Sequence, residues 1–101
     1  MSKVFKEGSR AIFSPTVNVV VSEIETIRTE FKQLLAEGIT ELIVDLSEVK
    51  MIDSMGLGVM ISAHNSLKKA GGTFSVINAS KELYDLFRSM RLTQHFSVTS
   101  A

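Results

Sequence analysis

The run Glu41-Leu42-Ile43-Val44-Asp45-Leu46 constrains this chain more than any other stretch, because it is short, apolar and β-branched and stands between two segments of helical periodicity. Its length and composition fit a strand better than a helix, and near-continuous apolar character is typical of a strand covered on both faces. The expectation is a central strand in a sheet flanked by helices.

The segments on either side agree. Upstream, Ile24, Ile27, Phe31 and Leu34/Leu35 recur at helical spacing, Ser22 with Glu25 fits a capping box, and Gly38 suits the C′ position. Downstream, Gly56, Val59, Met60, Ala63, Leu67 and Ala70 form one helical stripe that starts at or near Ser54 and is closed by Gly71-Gly72. Residues 73–77 read as a strand, Ser80 as the N-cap of a helix with Leu83, Leu86, Phe87 and Met90 on one face, and residues 96–99 as a last short strand. Residues 9–14 predict an earlier strand, which Pro15 would stop because it supplies no ladder N–H. This alternation predicts an α/β domain with a mostly parallel or mixed sheet of about four to five strands. Periodicity leaves the strand order open.

With 101 residues, 45% of them hydrophobic, the chain can enclose one core, so a single domain over 1–101 is expected. Eleven basic residues balance eleven acidic ones and the longest basic run is Lys68-Lys69, which argues against a nucleic-acid partner. No cysteine occurs, so disulfides and thiolate metal sites are excluded and a cytoplasmic location is expected. No apolar run approaches the roughly 18 to 20 residues of a membrane span. His64 and His95 stand far apart in sequence without an HExxH pattern, and Gly56-Leu57-Gly58 lacks the third glycine of a dinucleotide fingerprint. Neither a metal nor a cofactor is expected.

Chemistry concentrates in Lys50-Met51-Ile52-Asp53-Ser54-Met55-Gly56-Leu57-Gly58-Val59, where a strand or loop passes into a helix. Asp53 and Ser54 are both natural N-caps. A phosphate on Ser54 would meet the unpaired N–H groups and positive dipole end of that helix. Gly56 and Gly58 each cost about 1 kcal/mol in helix propensity, which implies a close approach by another backbone or by a partner. Met55 is a further candidate contact, since methionine adapts to varied partner surfaces. A serine-hydrolase reading fails on geometry, because His64 lies ten residues beyond Ser54 along the helix, roughly 15 Å in rise. His95 would serve only if the fold brought it close, and no Gly-x-Ser-x-Gly elbow is present.

Asp53-Ser54-Met55-Gly56-Leu57-Gly58, following Val44-Asp45-Leu46-Ser47, resembles the VDLS…DSxGLG signature of STAS-domain anti-sigma factor antagonists. The similarity continues through Lys69-Ala70-Gly71-Gly72, Phe74-Ser75-Val76-Ile77 and Leu83-Tyr84-Asp85-Leu86-Phe87, and spans 41–98. The resemblance implies that Ser54 is a phospho-acceptor and that residues 53–58 bind a serine kinase of the histidine-kinase-like ATPase fold that doubles as an anti-sigma factor. It further implies a resetting phosphatase of the PP2C type, no catalysis or cofactor in this chain, and a monomer when unbound. STAS-like domains also serve as constitutive docking subunits of transport or chemosensory assemblies, which is the alternative. Two departures stand out. Val17-Asn18-Val19-Val20 replaces a Gly-x-Leu-Asp turn, removing an acidic neighbour of the site, and Arg91-Leu92 replaces Gly-Leu, making a left-handed turn after the last helix harder to form.

Overall fold

Gly8, at φ 62°, turns the chain back on itself between β1 (Ser2–Glu7) and β2 (Arg10–Pro15), which pair antiparallel. In this computed structural model, which describes residues 2–101, α1 (Ile24–Ala36), β3 (Glu41–Asp45), α2 (Ser54–Lys69), β4 (Thr73–Ala79), α3 (Lys81–Ser89) and β5 (Ser97–Ser100) follow in order. The sheet order is β1-β2-β3-β4-β5, with β2 to β5 parallel. β1, to which the sequence reading assigned no element, makes the sheet mixed. Pro15 is the last residue of β2, as its missing donor requires.

A sheet wound always in one direction with right-handed crossovers puts every helix on the same face. Burial alternates accordingly. Ala11, Phe13, Leu42, Val44, Phe74 and Val76 face the helices and are fully or nearly fully buried, with Phe13 edge-on to Phe31 of α1 at 4.8 Å. Ile12, Ile43 and Ile77 point the other way and are only half-buried. The expectation that β3 is covered on both faces is therefore corrected. Its apolar run fits a central strand, but only the alternate residues Leu42 and Val44 reach the core.

The C-terminal signals act as read. Beyond α1 the Gly38 N–H donates to Leu35 and the Ile39 N–H to Leu34, and beyond α2 the Gly71 and Gly72 N–H groups donate to Lys68 and Leu67. Both are Schellman turns, with Gly38 at φ 91° and Gly71 at φ 78°. Ser80 caps α3, its Oγ accepting from the Leu83 N–H at 3.2 Å. The Ser22/Glu25 capping box does not form. Residues Val21–Glu23 make a 3-10 turn, and α1 begins after it without a side-chain cap. Met90, expected on the buried face of α3, is 56% exposed. Arg91 takes up the left-handed turn after α3 despite its side chain, at φ 60°.

Candidate functional site

The site is the corner where the β2–α1 loop meets the start of α2. Asn18 Oδ1 accepts from the Lys50 and Met51 N–H groups at 2.9 and 3.1 Å. The Val19 N–H donates to the Met51 carbonyl at 3.0 Å, and the Asp53 N–H to the Val19 carbonyl at 3.2 Å, a one-residue parallel bridge between Val19 and Ile52. In the stretch that stands for the Gly-x-Leu-Asp turn, Val20 takes the aspartate's place, and the Asn18 amide two residues earlier fastens two loops together. Sequence reasoning passed over Asn18, although an Asn in a non-helical stretch between elements is a common fastener of neighbouring backbone.

Asp53 completes the lacing. It is the N-cap of α2, in extended conformation, with Oδ1 accepting from the Gly56 N–H at 2.8 Å and Oδ2 from the Val21 N–H at 2.9 Å. These bonds, that from Gly56 foremost, outweigh desolvation and hold its carboxyl below the usual carboxylate range. One carboxylate therefore caps the helix and fixes the loop ahead of α1. It also occupies N–H groups that a phosphate on Ser54 was expected to find free, so an added phosphate would compete with Asp53 for them.

Ser54 is the first residue of α2 and is exposed, and its hydroxyl makes no hydrogen bond among the described residues. Met55 beside it is 48% exposed, Met51 57% and Val21 63%, the last held to Asp53 by its own N–H. They give the serine an apolar rim. The motif's other residues divide between inside and outside. Leu57 lies in the core, and Gly56 is buried so tightly that a Cβ there would stand 2.1 Å from the Val19 carbonyl oxygen. Gly58 is exposed, with open space where a Cβ would project. The surface of the motif is thus made by Asp53, Ser54, Met55 and Gly58, while Gly56 and Leu57 shape it from beneath.

The histidines belong to a different corner. His64 lies against Phe96, ring centroids 5.3 Å apart, and lines with His95, Ile61, Asn65 and Leu92 a cavity of about 230 Å³. Burial first, then the charge of Lys68 and the neighbouring His95, push the His64 imidazole below its ordinary value. No histidine stands beside Ser54 to take its proton. Among the described residues there is also no cluster of three or more side chains able to hold a metal ion, and no helix is long and apolar enough to cross a membrane.

The family model described as STAS domain matches residues 3–101, nearly the whole chain. The chain belongs to the STAS domain family. This STAS domain is 40% identical over 53 residues to the anti-sigma-B factor antagonist of Bacillus subtilis strain 168, a match covering 52% of this chain and 49% of that protein, about half the length of each. It superimposes on a candidate anti-sigma factor antagonist from Thermotoga maritima with a TM-score of 0.92 at 19% identity, covering 99% of this chain and 86% of that one. Against the phosphorylated form of the Bacillus cell fate determinant SpoIIAA the TM-score is 0.77 at 16% identity, covering 97% and 90%. At such identities the two structures establish the fold of this STAS domain.

Proposed function

We propose that this STAS domain is an anti-sigma factor antagonist acting in the cytoplasm as one arm of a partner switch, with Ser54 as its phospho-acceptor. The observation that carries the reading is an exposed, unbonded serine hydroxyl at the start of α2, rimmed by exposed Val21, Met51 and Met55. Exposed apolar groups around a polar centre suit a protein partner that binds reversibly. The partner is a serine kinase and anti-sigma factor of the histidine-kinase-like ATPase fold, which supplies the ATP and Mg²⁺, and a PP2C-type phosphatase returns the serine to its free state. This chain is the acceptor and performs no catalysis. The 40% identity to an anti-sigma-B factor antagonist over half the chain supports the same reading.

The geometry supports such a switch. Phosphorylation adds about −1.5 to −2 charge at neutral pH, here within an apolar rim and next to the Asp53 carboxylate. Desolvation opposes burying that charge under a partner. Repulsion and competition for the first-turn amides act on Asp53, whose second oxygen holds the Val21 N–H. The contact surface is thereby altered locally, and the sheet and core stay as they are.

The test uses immobilised wild type, Ser54→Ala and Ser54→Asp, each confirmed as folded, with extract of the native host and with or without ATP. One kinase-like protein retained by wild type and Ser54→Ala, lost from Ser54→Asp, and released by ATP from wild type alone is the expected result. Retention of one partner by all three proteins irrespective of ATP would overturn the switch and make this a constitutive docking subunit of a transport or chemosensory assembly.

A further inference from the structure

The outer face of the sheet, away from the helices, carries an apolar stripe. Strand register places Phe5 opposite Ile12, Ile12 opposite Ile43, and Ile43 opposite Ser75, so these side chains form one row across four strands. Phe5 is 62% exposed, and Ile12, Ile43 and the nearby Ile77 stand outside the core cluster. One flanking row is charged, with Arg10 Nε 3.1 Å from Glu41. The other contains Ser14, whose hydroxyl donates to Asp45 at 3.5 Å.

We propose that a second copy of this chain covers this face, in a symmetric dimer of two sheets packed face to face. The pattern of the rows selects both the occupant and the axis. A two-fold axis lying between the sheets, parallel to the strands and midway between β2 and β3, exchanges those two strands. Ile12 then lies on Ile43 of the second copy, Arg10 on its Glu41 and Ser14 on its Asp45, each contact occurring twice. Along β2 and β3 apolar meets apolar, cation meets carboxylate, and hydroxyl meets carboxylate, while on the strands outside them Phe5 lies on Ser75 and Lys3 on Ile77, so the selecting contacts are those of the central pair. An axis running across the strands through the Ile12/Ile43 row instead sets Glu41 against Asp45 and brings like charges together. Aligned sheets cross at about 30°, which displaces groups one row (about 7 Å) along the strands from the central Ile12/Ile43 row by under about 4 Å, within the reach of an arginine side chain.

Five strands about 4.8 Å apart and about 17 Å long give a face of roughly 400 Å² in projection, short of the roughly 800 Å² per partner of a stable interface. The dimer is therefore weak and concentration-dependent, in place of the monomer that the sequence reading expected. It is independent of the phosphorylation reading. Ser54 lies in the helical layer on the opposite side of the sheet, so both copies present it freely and a dimer offers two equivalent docking sites.

Sedimentation equilibrium of the full chain from about 10 µM to about 1 mM tests this, the range in which an interface of this size self-associates. Wild type is expected to dimerise within that range. Ile43→Lys, at a position outside the core, and Arg10→Glu, which places carboxylates opposite one another twice, are each expected to weaken the dimer by at least about tenfold. The double variant Arg10→Glu/Glu41→Arg restores every opposing pair and is expected to return to within about threefold of wild type. Circular dichroism confirms the fold of each, and the charge-swap arm stands on its own if Ile43→Lys fails to fold. A wild type that stays monomeric throughout would overturn the proposal. So would a dimer indifferent to both single substitutions, since it would have to use another surface.

Discussion

At the start of α2 a glycine stands where no side chain would fit, whereas at the end of α3 an arginine stands in a backbone conformation that favours glycine. Gly56 is pinned by contact with the Val19 carbonyl oxygen, a group that is itself bonded to the Asp53 N–H and cannot retreat without unfastening the loop. Arg91 meets only the intrinsic cost of a left-handed residue, roughly 1 to 2 kcal/mol. The difference shows how strictly each position limits the side chain. A backbone-to-backbone contact at the start of α2 admits one residue, while a turn at the edge of the domain tolerates a modest strain.

The largest expected effect is that of Gly56→Ala. Overpacking of this kind costs about 1 to 3 kcal/mol or more, and here it strikes a backbone oxygen in the lacing around Ser54. Chemical denaturation should show the loss, and amide exchange should place faster opening at Val19, Val21 and Asp53 ahead of the rest of the sheet. Unchanged stability would mean that the loop yields easily and that the corner is not rigid. Arg91→Gly tests the other half of the comparison and should raise stability by about 1 kcal/mol, net of the greater chain entropy of glycine when unfolded. A loss would show that the arginine side chain makes a compensating contact.

Gly58, two residues from Gly56, sharpens the contrast within a single motif. With open space around it and an ordinary helical backbone, Gly58→Ala should stabilise the domain by about 0.5 to 1 kcal/mol, opposite in sign to Gly56→Ala. If it also weakens capture of the partner in the binding test above, the exposed glycine is kept for close docking and not for the fold.

The sequence reading reached what is local. Gly38, Gly71 and Ser80 mark helix ends through bonds made within a few residues, and all were placed from spacing alone. It missed what depends on distant partners. Ser22 and Glu25 have the spacing of a capping box, yet the Val21 N–H is claimed by Asp53 from 32 residues away and the chain turns there as a 3-10 segment. Strand order has the same character. Nothing in the run from Glu41 to Leu46 says that its neighbours wind in one direction, so the open face beside Ile43 was invisible. At the site, Asp53 and Ser54 were found by residue type, but the division of Gly56 and Leu57 from Met55 and Gly58 into inner and outer halves needed the position of Val19.

The smallest expected effect joins the two regions, since His64 rises from α2 and packs on Phe96 of the segment that follows α3. Its imidazole is pushed below the ordinary value of 6.5, chiefly by burial and then by Lys68 and His95, so the unfolded chain binds its proton more readily than the folded one. Stability from this group is present above about pH 6.5 and is lost as pH falls from there through the lowered folded value. The carboxyls of Asp45, Asp53 and Glu37 are also held below their ordinary values of 3.8, 3.8 and 4.5, but theirs is lost only in more acid solution. Urea titrations between pH 7.5 and about pH 5 therefore isolate the histidine. Wild type should weaken across that interval, and His64→Phe, which keeps a ring against Phe96 and cannot be protonated, should flatten the slope. An equal slope in both proteins would place the titration elsewhere and leave His64 as packing alone.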